Sequence, residues 1–196
     1  MSKVSQEQAR LNRARVVATA AKMFRERGFD GVGIADVMKS AGLTHGGFYA
    51  QFPSKEHLMA EASGEAWEQR IAAWQALLEG SSQKNLSTLA SVYVSKGHLQ
   101  TPGDGCVATT LGADTAHQGP LVRSTFTSGV RRFLDLLMQL IPVRSQKARR
   151  REAIASFAAM VGSVVLARGV DDEALADEIL EAVRAHIANM DKALSN

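Results

Sequence analysis

The stretch from residue 32 to residue 58, VGIADVMKSAGLTHGGFYAQFPSKEHL, constrains this chain more than any other. Ile34, Val37, Met38 and Ala41 recur at helical spacing and predict a short amphipathic helix. Ala41-Gly42-Leu43 then forms a tight turn, with glycine where the chain must reverse. A second short helix is expected to open at Thr44 and to carry Phe48 and Phe52 one turn apart. Two short helices joined by such a turn make a helix-turn-helix, and its second helix is the one able to lie in a major groove.

The rest of the chain sets the context. It has 196 residues, 45% hydrophobic and 22% charged, which fits a folded chain of one or two domains. No apolar run reaches the ~18 residues that a membrane span needs, so no membrane partner is expected. Residues 1–15 are polar and basic and lack the apolar segment of a secretory signal. Cys106 is the sole cysteine, which excludes an intrachain disulfide and fits a reducing cytoplasm. Charge is uneven: residues 1–55 hold nine Lys/Arg against four acids, whereas residues 56–196 hold fourteen against sixteen. A basic N-terminal quarter on a mildly acidic remainder points to a polyanion at that end, or simply to a solvated surface.

Nearly everything reads as helix. A first helix over about 8–27 places Val16, Ala20 and Phe24 on one face, and Gly28 ends it. After the break at Pro53-Ser54, with Ser54 as N-cap, a long helix over 55–79 carries Trp67, Ile71, Trp74 and Leu78. Helices are expected at 85–97, at 119–141 behind Gly119-Pro120, at 147–167 and at 172–193, with a loop at 98–105. The fold class is therefore all-α. An N-terminal helix-turn-helix domain (1–54) precedes a helical ligand-binding and dimerisation domain (55–196).

The motif resembles that of the TetR family of bacterial transcriptional regulators. The matching residues are Gly28-Phe29, Ile34, Val37, Ala41-Gly42-Leu43, Gly46, Phe48-Tyr49, Phe52, Ser54-Lys55-Glu56 and Leu58. The resemblance implies a homodimeric regulator, a repressor rather than an activator, with a palindromic double-stranded operator and a small-molecule effector. It also implies that Tyr49 presents its hydroxyl to a phosphate. Lys55 opens the long helix, where its ammonium and free N–H groups suit a phosphate. Thr44, His45, Gly47 and Gln51 are placed to face base edges. Gly33, His45 and Gln51 depart from the family pattern, which usually has Thr or Ser, Lys and His there. Gly46 and Gly47 together cost a short helix roughly 2 kcal/mol. Such a cost implies a close backbone approach, either to DNA or to the neighbouring helix. Readout is expected to rest on phosphates and DNA shape. Arg10, Arg13 and Arg15 are placed to reach further phosphates or to form a solvated helix start.

Other chemistry is sparse. Cys106 follows Asp104-Gly105 and opens a helix, where the dipole would favour a reactive thiolate; otherwise it is a small buried side chain. Trp67, Trp74, Cys106, Thr110 and Phe126 are candidate ligand contacts. The effector is expected to be small and largely apolar or electrophilic, entering between the 55–79 and 119–141 helices. Small residues at Ala155, Ala159 and Gly162, with Leu175, Ile179, Val183 and Met190, offer a dimer surface or complete the core. No Gly-rich phosphate loop or metal-spaced His/Cys set is present, so no catalysis, metal or cofactor is expected. A helical ligand-binding or scaffold protein that does not act on DNA is the competing class.

Overall fold

The computed structural model describes residues 3–195, and side chains from Gln6 to Leu194. Among the described residues the regular elements are all helical. They are α1 (Lys3–Arg27), α2 (Ile34–Ser40), a 3₁₀ turn (His45–Gly47), α3 (Lys55–Glu79), α4 (Leu86–Tyr93), α5 (Lys96–Gln100), a second 3₁₀ turn (Pro102–Asp104), α6 (Val107–Thr115), α7 (Pro120–Leu140), α8 (Gln146–Gly169) and α9 (Glu173–Ser195).

Local chemistry explains most boundaries. Gly28 ends α1 with φ 74°, and its N–H reaches the Phe24 carbonyl at 2.8 Å. Gly33 caps α2 without a side chain; Asp36 supplies half of a capping box by accepting the Gly33 N–H at 3.2 Å. Ser54 accepts the His57 N–H at 3.3 Å, and the His57 ring returns to the Ser54 hydroxyl at 2.9 Å. The helix expected over 85–97 is split. Val94 leaves helical geometry, and Ser95 caps a new helix by accepting the His98 N–H. Part of the expected loop at 98–105 is thus helical.

The second helix of the motif is shorter than expected. Only a 3₁₀ turn forms at His45–Gly47, followed by turns that bring Phe48 and Phe52 inward. Two glycines oppose helix propagation. Pro53 disfavours helical geometry at the residue before it.

The buried side chains form one continuous core with two aromatic-rich regions. Near the N-terminus, Val16, Ala20, Phe24, Phe29, Val37, Met38, Phe48 and Phe52 are buried. Their rings pair at 5.3 Å (Phe24–Phe29) and 5.4 Å (Phe48–Phe52). Further along, α3 packs along α7, and Trp74, Tyr93, Phe133 and Phe157 form an aromatic group with Trp74 and Phe133 centroids 4.4 Å apart. A methyl on Gly129 of α7 would lie 2.3 Å from the Trp67 ring, so glycine is what lets α3 and α7 approach so closely.

One helix, α8, is long and apolar enough by length and composition to cross a bilayer, although Ser156, Ser163 and Arg168 interrupt its apolar run short of the ~18 residues of a span. Its inner face, with Ala153, Phe157, Met160 and Val164, is buried in the body. Its surplus apolarity is an outer stripe: Ile154, Val165 and Leu166 are exposed.

Candidate functional site

Phe48 and Phe52 turn inward, which leaves most of the other residues of the 44–51 segment facing out. Thr44, His45, Gly46 and Tyr49 are exposed together, Tyr49 by 67%. A methyl on Gly46 would meet no protein atom within 4 Å. One on Gly47 would meet only Met38 Cε at 3.7 Å and Thr44 Oγ1 at 3.8 Å, ordinary contacts. Neither glycine has a positive φ. Packing against the neighbouring helix therefore does not account for the pair.

The other expected DNA-contacting side chains are engaged within the protein. Gln51 is half-buried, and its Nε2 donates to the Gly47 carbonyl at 3.2 Å. Lys55 Nζ donates to the Phe29 carbonyl at 2.7 Å. Arg13 donates to the Gln51 carbonyl, pairs with Glu61 and lies 4.2 Å over the Phe52 ring. It ties α1 to the turn and to α3. Arg10 pairs with Glu7 at 2.7 Å on the exposed side of α1, and Arg15 is exposed.

A cavity of about 560 Å³ lies between α6, α7 and α8. Ala108 and Gly112 of α6, Phe126 and Val130 of α7, and Ile154 and Val161 of α8 are among its walls. Phe126 is the one expected ligand residue in this wall. Trp67 stands behind Phe126, edge-on with centroids 5.9 Å apart. It borders a smaller groove of about 230 Å³ between α3 and α7. The Arg132–Glu68 ion pair involves two of that groove's lining residues. The expected entry between these helices therefore meets a polar groove, with the Gly129–Trp67 packing beneath it. Trp74 belongs to the aromatic group. Thr110 is half-buried and donates to the Cys106 carbonyl at 3.1 Å.

Cys106 does open a helix, as the N-cap of α6, but its side chain is fully buried. Burial pushes the thiol pKa up, and the neighbouring Tyr93 hydroxyl and the Ala108 and Thr109 amides offset only part of that. Desolvation outweighs the helix dipole, so of the two expected readings the small buried side chain fits and the reactive thiolate does not. His98 folds back on this loop. Its Nδ1 lies 2.6 Å from the Tyr93 carbonyl, and its Nε2 accepts the Cys106 N–H at 2.8 Å. These partners fix the neutral tautomer with the proton on Nδ1. Burial pushes the His98 pKa down to about 4. With both ring nitrogens occupied, His98 holds the loop and is not poised as a base for the thiol. Nothing in the sequence marks this role, because the partners lie five and eight residues away in irregular backbone.

Residues 16–62 match the family model described as bacterial regulatory proteins, tetR family. That segment is a TetR-type DNA-binding module. The chain is 26% identical over 132 residues to the HTH-type transcriptional repressor NemR of Escherichia coli K12. That match spans 66% of each chain, just under two thirds of the relative's length. In structure it is similar to the reduced form of E. coli NemR (TM-score 0.76, 23% identity, 91% of this chain and 96% of that one). A TetR regulator from Chloroflexus aurantiacus J-10-FL is comparable (TM-score 0.77, 25% identity, 93% and 95%). The chain thus has the helix-turn-helix and the overall fold of TetR-type DNA-binding transcriptional regulators.

Proposed function

We propose that this regulator is a repressor that binds a palindromic operator as a homodimer and leaves it when a small apolar molecule binds. The observation that carries the DNA-binding half is the exposed, side-chain-poor turn at 44–49, whose Gly46 no internal contact requires. There the backbone can approach a duplex, with the exposed Tyr49 and His45 beside it. Thr44, Gly47, Gln51 and Lys55 complete the proposed contact set. Gln51 and Lys55 would have to leave their present partners or act through them. In this reading residues 1–54 are the DNA-binding domain and residues 55–196 the ligand-binding and dimerisation domain.

The outer stripe of α8 supports the dimer. Leu166 is 60% exposed and Leu175 of α9 is 42% exposed; Ile154 and Val165, at 48% and 46%, lie where this stripe meets the mouth of the cavity that they also line. Exposed Ala155 and half-buried Gly162 would let a second helix come close. The cavity supports the effector, since its lining residues are apolar and offer no charge or strong hydrogen bond. An apolar effector is favoured over an electrophile because the Cys106 thiol is buried and its pKa raised.

Selection of genomic fragments on the purified protein, followed by footprinting, tests this reading. The expected result is a two-fold symmetric site bound by two copies, with log affinity falling against log salt by about 0.9 per phosphate neutralised. A monomer that retains no fragment at low salt would refute it.

A further inference from the structure

α6 is nine residues long and touches two unlike regions. Ala108, Gly112 and Ala113 line the apolar cavity. The next residue, Asp114, faces the N-terminal unit, where its Oδ2 accepts the Phe29 N–H at 3.1 Å. Phe29 follows the αL glycine that ends α1. A methyl on Gly28 would lie 2.6 Å from that same carboxylate oxygen, so the contact needs a glycine there. The Phe29 carbonyl is held from the other side by Lys55 of α3, and its ring is fully buried against Phe24. Phe29 is therefore a joint gripped by α1, α3 and α6 at once. The loop before α6 is tied to α1 as well. Buried Arg25 donates to the Gly105 carbonyl at 3.0 Å, and Glu26 packs so tightly on Gly103 that a methyl there would lie 2.5 Å from its carboxylate.

We propose that Asp114 is the positioning residue that couples the cavity to the recognition turn. The proposal rests on the cavity being the effector site. An occupant pressing on Ala108, Gly112 and Ala113 displaces α6 as a unit, because a helix this short moves as a rigid rod of about 13 Å. The carboxylate next to the cavity wall moves with it. A hydrogen bond already at 3.1 Å is lost with a shift of about half an ångström. The joint between α1 and α2 then loses one of its three holds, and the turn at 44–49 loses its fixed orientation.

The test uses the full chain and two ways to fill the cavity. One is Nile red, an uncharged apolar dye. The other is Gly112→Met, whose side chain enters the cavity from α6 itself; a methyl there sits 3.7 Å from Phe126 Cζ. The readouts are amide hydrogen exchange at Phe29 and affinity for a selected DNA fragment. In the wild type either filling should speed Phe29 exchange, and weaken DNA binding, by about tenfold. In Asp114→Ala, Phe29 should exchange fast from the start, and Nile red should bind within about twofold of wild type yet leave DNA affinity unmoved. Asp114→Asn keeps an oxygen acceptor and should restore most of the response. The proposal is overturned if filling leaves Phe29 exchange unchanged, or if Asp114→Ala responds like the wild type. Should Asp114→Ala not fold, the wild type and Asp114→Asn decide. If Nile red does not bind while Gly112→Met still speeds Phe29 exchange, the effector reading fails and the Asp114 link stands.

Discussion

Tyr49 and Leu166 are the two most exposed large apolar or aromatic side chains among the described residues, at 67% and 60%. They mark two surfaces that look for partners in opposite ways. Around Tyr49 the surface offers a hydroxyl, an imidazole and bare glycine backbone, with Arg10 and Arg15 exposed nearby on α1. Around Leu166 it offers aliphatic side chains and small residues. The first surface gains from a hydrated polyanion and weakens with salt. The second gains by removing water from apolar area, which salt barely touches. One chain thus separates what it reads from how it assembles.

The largest expected effect breaks the assembly side alone. Leu166→Glu places a carboxylate in the proposed dimer face, and losing even roughly 3 kcal/mol of association weakens the dimer by more than a hundredfold. Sedimentation at micromolar concentration should show monomers with unchanged helical content. Unchanged dimers would remove α8 from the interface.

Acid should separate the interior of the body from both surfaces. His98 titrates near 4 in the folded chain and near 6.5 when unfolded. Between these values the unfolded chain binds more protons, so stability rises with pH and is lost as pH falls from about 6.5 through 4. The loss is on the order of 3 kcal/mol for a shift of this size, and His98→Gln should flatten it. Denaturant unfolding followed by the emission of Trp67 and Trp74, both on α3, measures it.

Gly46→Ala sharpens the reading side. The fold has room for the methyl, so stability should stay level or rise by up to about 1 kcal/mol. DNA affinity should nonetheless fall by about tenfold if backbone meets duplex there. Equal affinity for wild type and Gly46→Ala would end the close-approach argument. The smallest effect is His45→Lys, which adds one charge and should steepen the log–log salt slope by about 0.9.

The all-helical class, the motif and its buried Phe48 and Phe52 were legible because apolar periodicity and glycine placement are local signals. Of the four positions expected to face base edges, Thr44 and His45 are exposed, whereas Gly47 and Gln51 are half-buried because the segment forms a 3₁₀ turn rather than the expected helix. The fates of Arg13, Gln51 and Lys55 were not legible. Each is claimed by a carbonyl, and the Arg13 and Lys55 partners lie 38 and 26 residues away in sequence. Cys106 stands at a helix start as the sequence suggests, and burial, which only the fold displays, decides between its two readings in favour of the inert side chain.

The sequence by itself determined the ends of the long helices and which of their faces are apolar, because propensity, capping and periodicity act within a few residues. Tertiary structure alone decided that α3 and α7 close tightly at Gly129, that the open apolar space lies instead beside α6 and α8, and that Asp114 meets Phe29. Those outcomes depend on how distant segments share volume and hydrogen-bond donors, and no local pattern encodes that competition.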